Sequence, residues 1–394
     1  MIQRFILTII SFAACATLSA QSTCTINGNI TDATLDNGKN IKKVSLVQPD
    51  AYGRMQEIAK AKVKKGKYTI KYTMPDNAPV MAGYITGFGE GNGIELFIEP
   101  GTVTVNTAKA TAPAGSEITG TATNDAFNEY KAIYTRSSEA VEARMAAEVE
   151  KHGKEWAASN EGKKAAKRIN AAETIKRDAE IIKFLIGHNC SPMTPLEIER
   201  TLLPYLSDAY AEQMVKCISM ELHGHPYYTS LRNTVFARLL KVGYEIPDVT
   251  LPLNDGTTKL MSDLRGRHIL LDFWASDCAA SGEHRESLKE LFEATKEKRD
   301  EFVIVSIALD NNAETWKAAI KANGTDAEGW IHACECTGME SSLAAKYFKI
   351  DKTPRLVLVD PEGRLISLDM DIDEVQMRIE QILSGDLYYL DQEK

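Results

Sequence analysis

Beyond its first 20 residues the chain lacks any apolar run long enough to cross a bilayer, where a spanning helix needs about 20 such residues. It also lacks a basic excess. Asp and Glu outnumber Lys and Arg by 55 to 46, for a net charge of −9, which argues against a surface that neutralises nucleic-acid phosphates. Cysteine is sparse, with seven in 394 residues, so no disulfide scaffold holds the fold and each cysteine has to be judged by itself. Gly (25) and Pro (13) are too few for a collagenous or disordered chain. What remains is 44% hydrophobic and 26% charged, material for a folded chain of two or three domains. Enzyme, binding module and scaffold all stay open.

Residues 1–20 have the form of a cleaved secretory signal. A positive charge at Arg4 precedes the apolar run Phe5 to Ala16, and small residues end at Ser19-Ala20. The run is too short to span a membrane, so no transmembrane helix is expected and the protein is expected to be exported, to the periplasm or in association with the outer membrane. Phe12-Ala13-Ala14-Cys15 is similar to a bacterial lipobox with Phe in place of the usual Leu, which makes a lipid anchor at Cys15 the alternative outcome of processing.

Three patterns follow along the chain. Within residues 21–122, short runs such as 44–47, 67–72, 94–98 and 103–105 are separated by Asn-Gly, Lys-Gly and Pro-Gly punctuation, which predicts a small all-β, sandwich-like domain. Residues 123–243 are rich in Ala, Glu, Lys and Arg with Leu, Ile and Met at helical spacing, and Pro192, Pro195, Pro204 and Pro226 break this helical segment into several helices. The Glu- and Lys-rich stretch 139–177 reads as a solvated helix face. Residues 244–394 form an α/β domain. Apolar strands at 268–274, 302–309 and 355–359 alternate with helices from Cys278, at 313–322 and at 341–348, before a hairpin at 360–363 and a closing helix at 374–383. Residues 330–338 read as irregular.

A cysteine at the junction of a buried strand and a helix lies near unpaired backbone N–H groups and the positive end of the helix dipole, both of which stabilise a thiolate. Cys278 is in that position. The stretch Ile269-Leu-Leu-Asp-Phe-Trp-Ala-Ser-Asp-Cys278 resembles the strand and active-site turn of the thioredoxin superfamily, and Lys352-Thr353-Pro354 resembles its cis-proline loop. The resemblance covers about residues 243–383, and the order of the three segments resembles cell-envelope proteins of the TlpA type, which often carry an N-terminal β-domain. It implies a thioredoxin-like fold and thiol-disulfide oxidoreductase activity on protein or peptide thiols and disulfides. Cys278 would be the nucleophile and Asp272 the buried proton acceptor. Trp274, the aromatic residue of the turn, would bind substrate together with Thr353 and Pro354, which would offer backbone to a bound peptide.

The motif departs from the family's Cys-x-x-Cys. Here it is Cys278-Ala279-Ala280-Ser281, with Asp277 where a tryptophan usually stands. Ser281 can hydrogen-bond a sulfur but cannot attack a mixed disulfide, so resolution falls to Cys334, Cys336 or an external thiol. Asp277 and Glu283 place negative charge near the sulfur, so no strongly acidic thiol is expected. The alternative is a redox-inactive thioredoxin-like binding or scaffold protein of the cell envelope. A peroxidase of the peroxiredoxin kind would carry Thr or Ser three residues ahead of the cysteine, where this chain has Ala275.

No metal or other cofactor is expected. His332-x-Cys334-x-Cys336 lacks the paired spacing of a structural zinc site, and His223-Gly-His225 before Pro226 reads as an exposed turn. Cys190 and Cys217, among apolar helical neighbours, read as packing residues, and Cys24 as an exposed thiol near the mature N-terminus.

Overall fold

The computed structural model describes residues 22–50 and 54–385, so the signal and the Cys15 anchor lie outside the described residues. The chain divides into two compact units, residues 1–193 and 194–394.

The first unit opens with eight strands, β1 (Thr23–Asp32), β2 (Lys43–Pro49), β3 (Met55–Lys62), β4 (Lys67–Thr73), β5 (Met81–Thr86), β6 (Gly93–Ile98), β7 (Gly101–Lys109) and β8 (Glu117–Thr119). They form two four-stranded sheets, ordered β4-β1-β7-β8 and β3-β2-β5-β6. Period-two alternation drives the pairing. On β1, Cys24, Ile26, Gly28 and Ile30 are buried while Thr25, Asn27 and Asn29 alternate with them toward the outside, and Cys24, Ile26 and Ile30 join Leu46, Ile70, Ile85, Leu96 and Val103 in one core. Cys24 is therefore fully buried, not an exposed terminal thiol, because the first strand inserts between β4 and β7. Asn27-Gly28 has the composition of a turn but lies inside β1, where Gly28 faces Tyr68 across the strand pair. A Cβ at position 28 would sit 1.9 Å from the Tyr68 ring, so only glycine lets that ring lie across the strand.

The unit continues into α1 (Ala122–His152) and α2 (Asn160–Gly187). The first turn of α1 is tied to the sandwich. The buried Glu99 carboxylate accepts from the Thr123 backbone N–H and hydroxyl at 3.0 Å each, and Asn124 exchanges two 2.8 Å bonds with the Phe97 backbone. The helices run antiparallel, pairing Arg136 with Glu180 and Arg144 with Glu173, and most of stretch 139–177 on them is exposed. No described helix is long and apolar enough to cross a membrane.

The short α3 (Met193–Glu197) falls at the division in the chain, and the second unit continues with α4 (Asp208–Cys217) and α5 (Pro226–Leu239). The helical run 123–243 thus contributes to both units. Cys190 and Cys217 are exposed and not packing residues, since each falls on the outward side of its segment. His225 is buried and its Nδ1 accepts from the Tyr227 N–H at the start of α5, while His223 stacks on Tyr228, so this pair shapes a helix entry.

After the β9 (Thr250–Pro252) and β10 (Thr258–Leu260) hairpin come β11 (His268–Trp274), α6 (Ala279–Ala294), β12 (Phe302–Ala308), α7 (Ala313–Ala322), β13 (Ile331–Cys334), α8 (Leu343–Tyr347), β14 (Arg355–Val359), β15 (Leu365–Ser367) and α9 (Ile372–Ser384). Their sheet has the order β13-β12-β11-β14-β15, with β11, β12 and β13 parallel and β14 and β15 antiparallel. β11 and β12 are buried on both faces. Ile269, Leu271 and Phe273 join Val303, Val305 and Ile307 on the face covered by α8, whereas Leu270 joins Phe302 and Ile304 on the face covered by α6 and α9. Residues 331–334, read as irregular from sequence, are the edge strand β13, held in register with Val305 to Ala308.

Candidate functional site

β11 ends at Trp274, and four residues later Cys278 is the N-cap of α6. The turn is anchored by Asp310, whose carboxylate accepts from both the Ser276 backbone N–H and its hydroxyl. On the other side, β14 pairs antiparallel with β11, which brings the loop before β14 against the turn. The Thr353-Pro354 peptide is cis, and the half-buried Cys278 Sγ donates to the Thr353 carbonyl at 3.4 Å. Cys278, Thr353 and Pro354 are thus brought together.

The Cys278 thiol is shifted below the ordinary thiol range. The Ser281 hydroxyl is the main cause, opposed by partial burial and reinforced by the backbone N–H groups of Ser281 and Ala280. Ser281 is 2% exposed and its Oγ has no hydrogen-bond partner while the sulfur carries its proton toward Thr353. Ionisation therefore gives up the bond to the Thr353 carbonyl and gains a buried, otherwise idle hydroxyl. Asp277 is not among the causes of the shift.

Asp272 is 1% exposed in the middle of β11, and burial raises its pKa, with Arg285 and Ser306 acting in the opposite direction. Ser306 Oγ donates to Asp272 Oδ2 at 2.8 Å and accepts from Trp330 Nε1 at 3.0 Å. Register explains the arrangement, since Asp272, Ser306 and His332 stand opposite one another on three adjacent strands and form a polar row across the sheet. The counter-charge is Arg285, 3% exposed, whose Nη1 is 4.0 Å from Asp272 Oδ2, beyond hydrogen-bonding distance, and whose guanidinium carbon is 4.0 Å from the Trp274 ring centroid.

Sequence reasoning missed Arg285 and Ser306. The available signals were a lone serine inside the apolar run Phe302 to Leu309, and an arginine one helical turn after Ser281 on the same face.

The next row along the same face is Trp274, Ala308 and Cys334. Cys334 ends β13, buried, and Cys336 follows in the loop, half-buried and with φ of +54°. Their sulfurs are 3.2 Å apart, while the Cys278 sulfur makes its hydrogen bond to Thr353. His332 Nε2 is bonded to the Thr325 carbonyl at 2.8 Å, and among the described residues no three His, Cys, Asp or Glu side chains converge on a metal position.

Comparison with known proteins bears on this geometry. A family model described as thioredoxin-like matches residues 266–365, which include the β11 turn, Cys278, the Cys334–Cys336 loop and the cis-proline loop. A thiol-disulfide oxidoreductase from Bacteroides fragilis is 31% identical over a match covering 35% of this chain and 98% of that one, with a TM-score of 0.33. The chain belongs to the thioredoxin-like family. The thioredoxin domain of a thiol-disulfide oxidoreductase from Bacteroides vulgatus matches at 24% identity, covering 36% of this chain and 98% of that one with a TM-score of 0.33. A thiol:disulfide interchange protein from a Bacteroides species also matches at 24% identity, covering 38% and 93% with a TM-score of 0.33. All three relatives coincide with about the length of the thioredoxin-like domain alone. Residues 24–127, the β-rich region, match a model described as a domain of unknown function, DUF4369. A search of curated proteins gives no match.

Proposed function

We propose that the protein is an exported thiol-disulfide oxidoreductase of the periplasm or outer membrane, acting on protein or peptide thiols and disulfides through Cys278 in a Cys-x-x-Ser motif. The observation that carries this reading is the Cys278 sulfur at the N-terminus of α6, half-exposed and 3.4 Å from the Thr353 carbonyl beside the cis peptide. A guest chain laid along residues 353–354 would present its sulfur next to that atom, with Trp274 supporting the turn from beneath. The Cys278 thiolate attacks one sulfur of the substrate disulfide. A Cys278–substrate disulfide forms, the second substrate sulfur leaves as a thiolate and takes a proton from water. Because Ser281 carries no thiol, a second thiol must attack Cys278 Sγ, either external or from Cys334 or Cys336, releasing the substrate reduced. Asp272 is the candidate proton store beneath the turn, its carboxyl biased toward the protonated form by burial.

The test replaces Cys278 by Ser in the full chain and follows reduction of a disulfide-bonded peptide by a thiol reductant. Loss of rate above background, and of the mixed disulfide trapped by acid quench, is expected. An unchanged rate would remove the basis of the proposal. The absence of a resolving thiol at Ser281 favours a second reading, a redox-inactive binding or scaffold protein, and retention of peptide affinity by a variant with no wild-type turnover to lose would select it.

A further inference from the structure

We propose that Cys334 and Cys336 are a second thiol-disulfide couple, separate from Cys278, which closes on itself into a Cys334–Cys336 disulfide as it reduces a small-molecule or peptide disulfide. Four features of the loop after β13 carry this. The two sulfurs are 3.2 Å apart, with the Cys336 thiol directed at Cys334 Sγ. The Cys336 backbone N–H also donates to Cys334 Sγ, at 3.1 Å. Cys336 has a left-handed backbone, φ +54°, a region that residues other than glycine adopt uncommonly, and this turn folds the second cysteine back on the first. The residue between them is pinned. Glu335 accepts from the Leu343 and Ala344 N–H groups at 2.8 and 3.4 Å at the start of α8, so the loop is held while its two neighbours face each other. A disulfide has a sulfur separation of about 2.05 Å, so closure asks the two sulfurs to approach by about 1 Å.

The two cysteines divide the work by exposure. Cys336 is half-buried and reachable, whereas Cys334 is buried at the strand end, its thiol pushed up first by burial and then by Cys336. Cys336 attacks one sulfur of R–S–S–R, forming Cys336–S–S–R and releasing R–S⁻, which is protonated by water. With Cys336 no longer a thiol, its opposition to ionisation of Cys334 is gone, while its backbone N–H remains on Cys334 Sγ. Cys334 then loses its proton and attacks Cys336 Sγ, forming the Cys334–Cys336 bond and releasing the second R–SH. Two protein thiols are oxidised and one disulfide is reduced to two thiols.

The experiment uses the full chain in its Cys278→Ser form, so that it does not depend on Cys278 chemistry, and equilibrates it across a series of oxidised to reduced glutathione ratios. Acid quench, alkylation and peptide mass analysis follow. Expected is a joint loss of alkylation at Cys334 and Cys336, in one peptide two hydrogens lighter, with Cys336→Ser abolishing it. Three results would overturn the proposal. Both cysteines could stay reduced at every ratio, Cys336 could hold glutathione as the stable product, or in the wild-type chain either cysteine could pair with Cys278 in place of its neighbour.

Discussion

Arg285 lies face-on over Trp274, its guanidinium carbon 4.0 Å from the ring centroid, and this contact decides which buried charge the sheet can hold. The ring roofs the arginine away from water, and the arginine in turn sits beside the Asp272 carboxylate, which burial would otherwise keep neutral. Removing the cation leaves that carboxylate without compensation. Arg285→Met, which preserves the packing on Trp274, is expected to lower stability by about 3 kcal/mol near neutral pH, the usual result of removing one partner of a buried pair. The deficit has a sign in pH. Asp272 already titrates above the ordinary carboxyl range, and without Arg285 it rises further, so the folded variant binds its proton more tightly and loses stability faster as pH increases. Thermal melts of both proteins from pH 8 down to pH 4 should show the gap narrowing with acidification. A gap independent of pH would mean that Arg285 acts only through packing.

Ser281 faces a sulfur across the first turn of α6 with a hydroxyl that has no other partner. Ser281→Ala should raise the alkylation midpoint of Cys278 toward that of an ordinary thiol and slow iodoacetamide labelling at pH 7 by about fivefold, the worth of one hydrogen bond of about 1 kcal/mol. Labelling is followed at the Cys278 peptide alone, since Cys190, Cys217 and Cys336 also react. Equal rates for the two proteins across pH 6 to 9 would assign the lowered thiol to the helix N-terminus instead.

The parts of the fold that show in sequence are those in which one physical requirement dominates a whole segment. Strands β11, β12 and β14 are buried on both faces and so read as largely apolar runs, and Cys278 stands out because it follows one of them at the start of a helix. β13 escapes notice because an edge strand of four residues, two of them His332 and Cys334, has neither length nor hydrophobic contrast. β1 is hidden differently. Its outward positions are Thr and Asn, and the Asn27-Gly28 pair has turn composition, but the glycine there answers a need for space opposite Tyr68 and not a need for a turn. Arg285 is invisible for a third reason, since an arginine on an amphipathic helix is ordinarily solvated, and the tertiary packing that buries this one, the ring of Trp274 eleven positions earlier included, does not show in the helix pattern.

The Gly28 and Tyr68 pair makes that second case measurable. Gly28→Ala would place a methyl 1.9 Å from the Tyr68 ring, and because the ring is buried in the sandwich it can yield only by displacing its neighbours. Overpacking of this kind costs about 1–3 kcal/mol. The loss belongs to the first unit, so amide hydrogen exchange is the suitable readout. Protection should fall along the β1–β4 register, from Thr25 opposite Lys71 to Asn29 opposite Lys67, and stay unchanged at Leu270 and Ile304 in the second unit. Shortening the ring tests the cause. In Gly28→Ala with Tyr68→Leu the combined loss should be smaller than the sum of the two single losses, because the leucine vacates the space that the new methyl needs. Strictly additive losses would show that Gly28 serves β1 through its backbone freedom and not through room for the tyrosine.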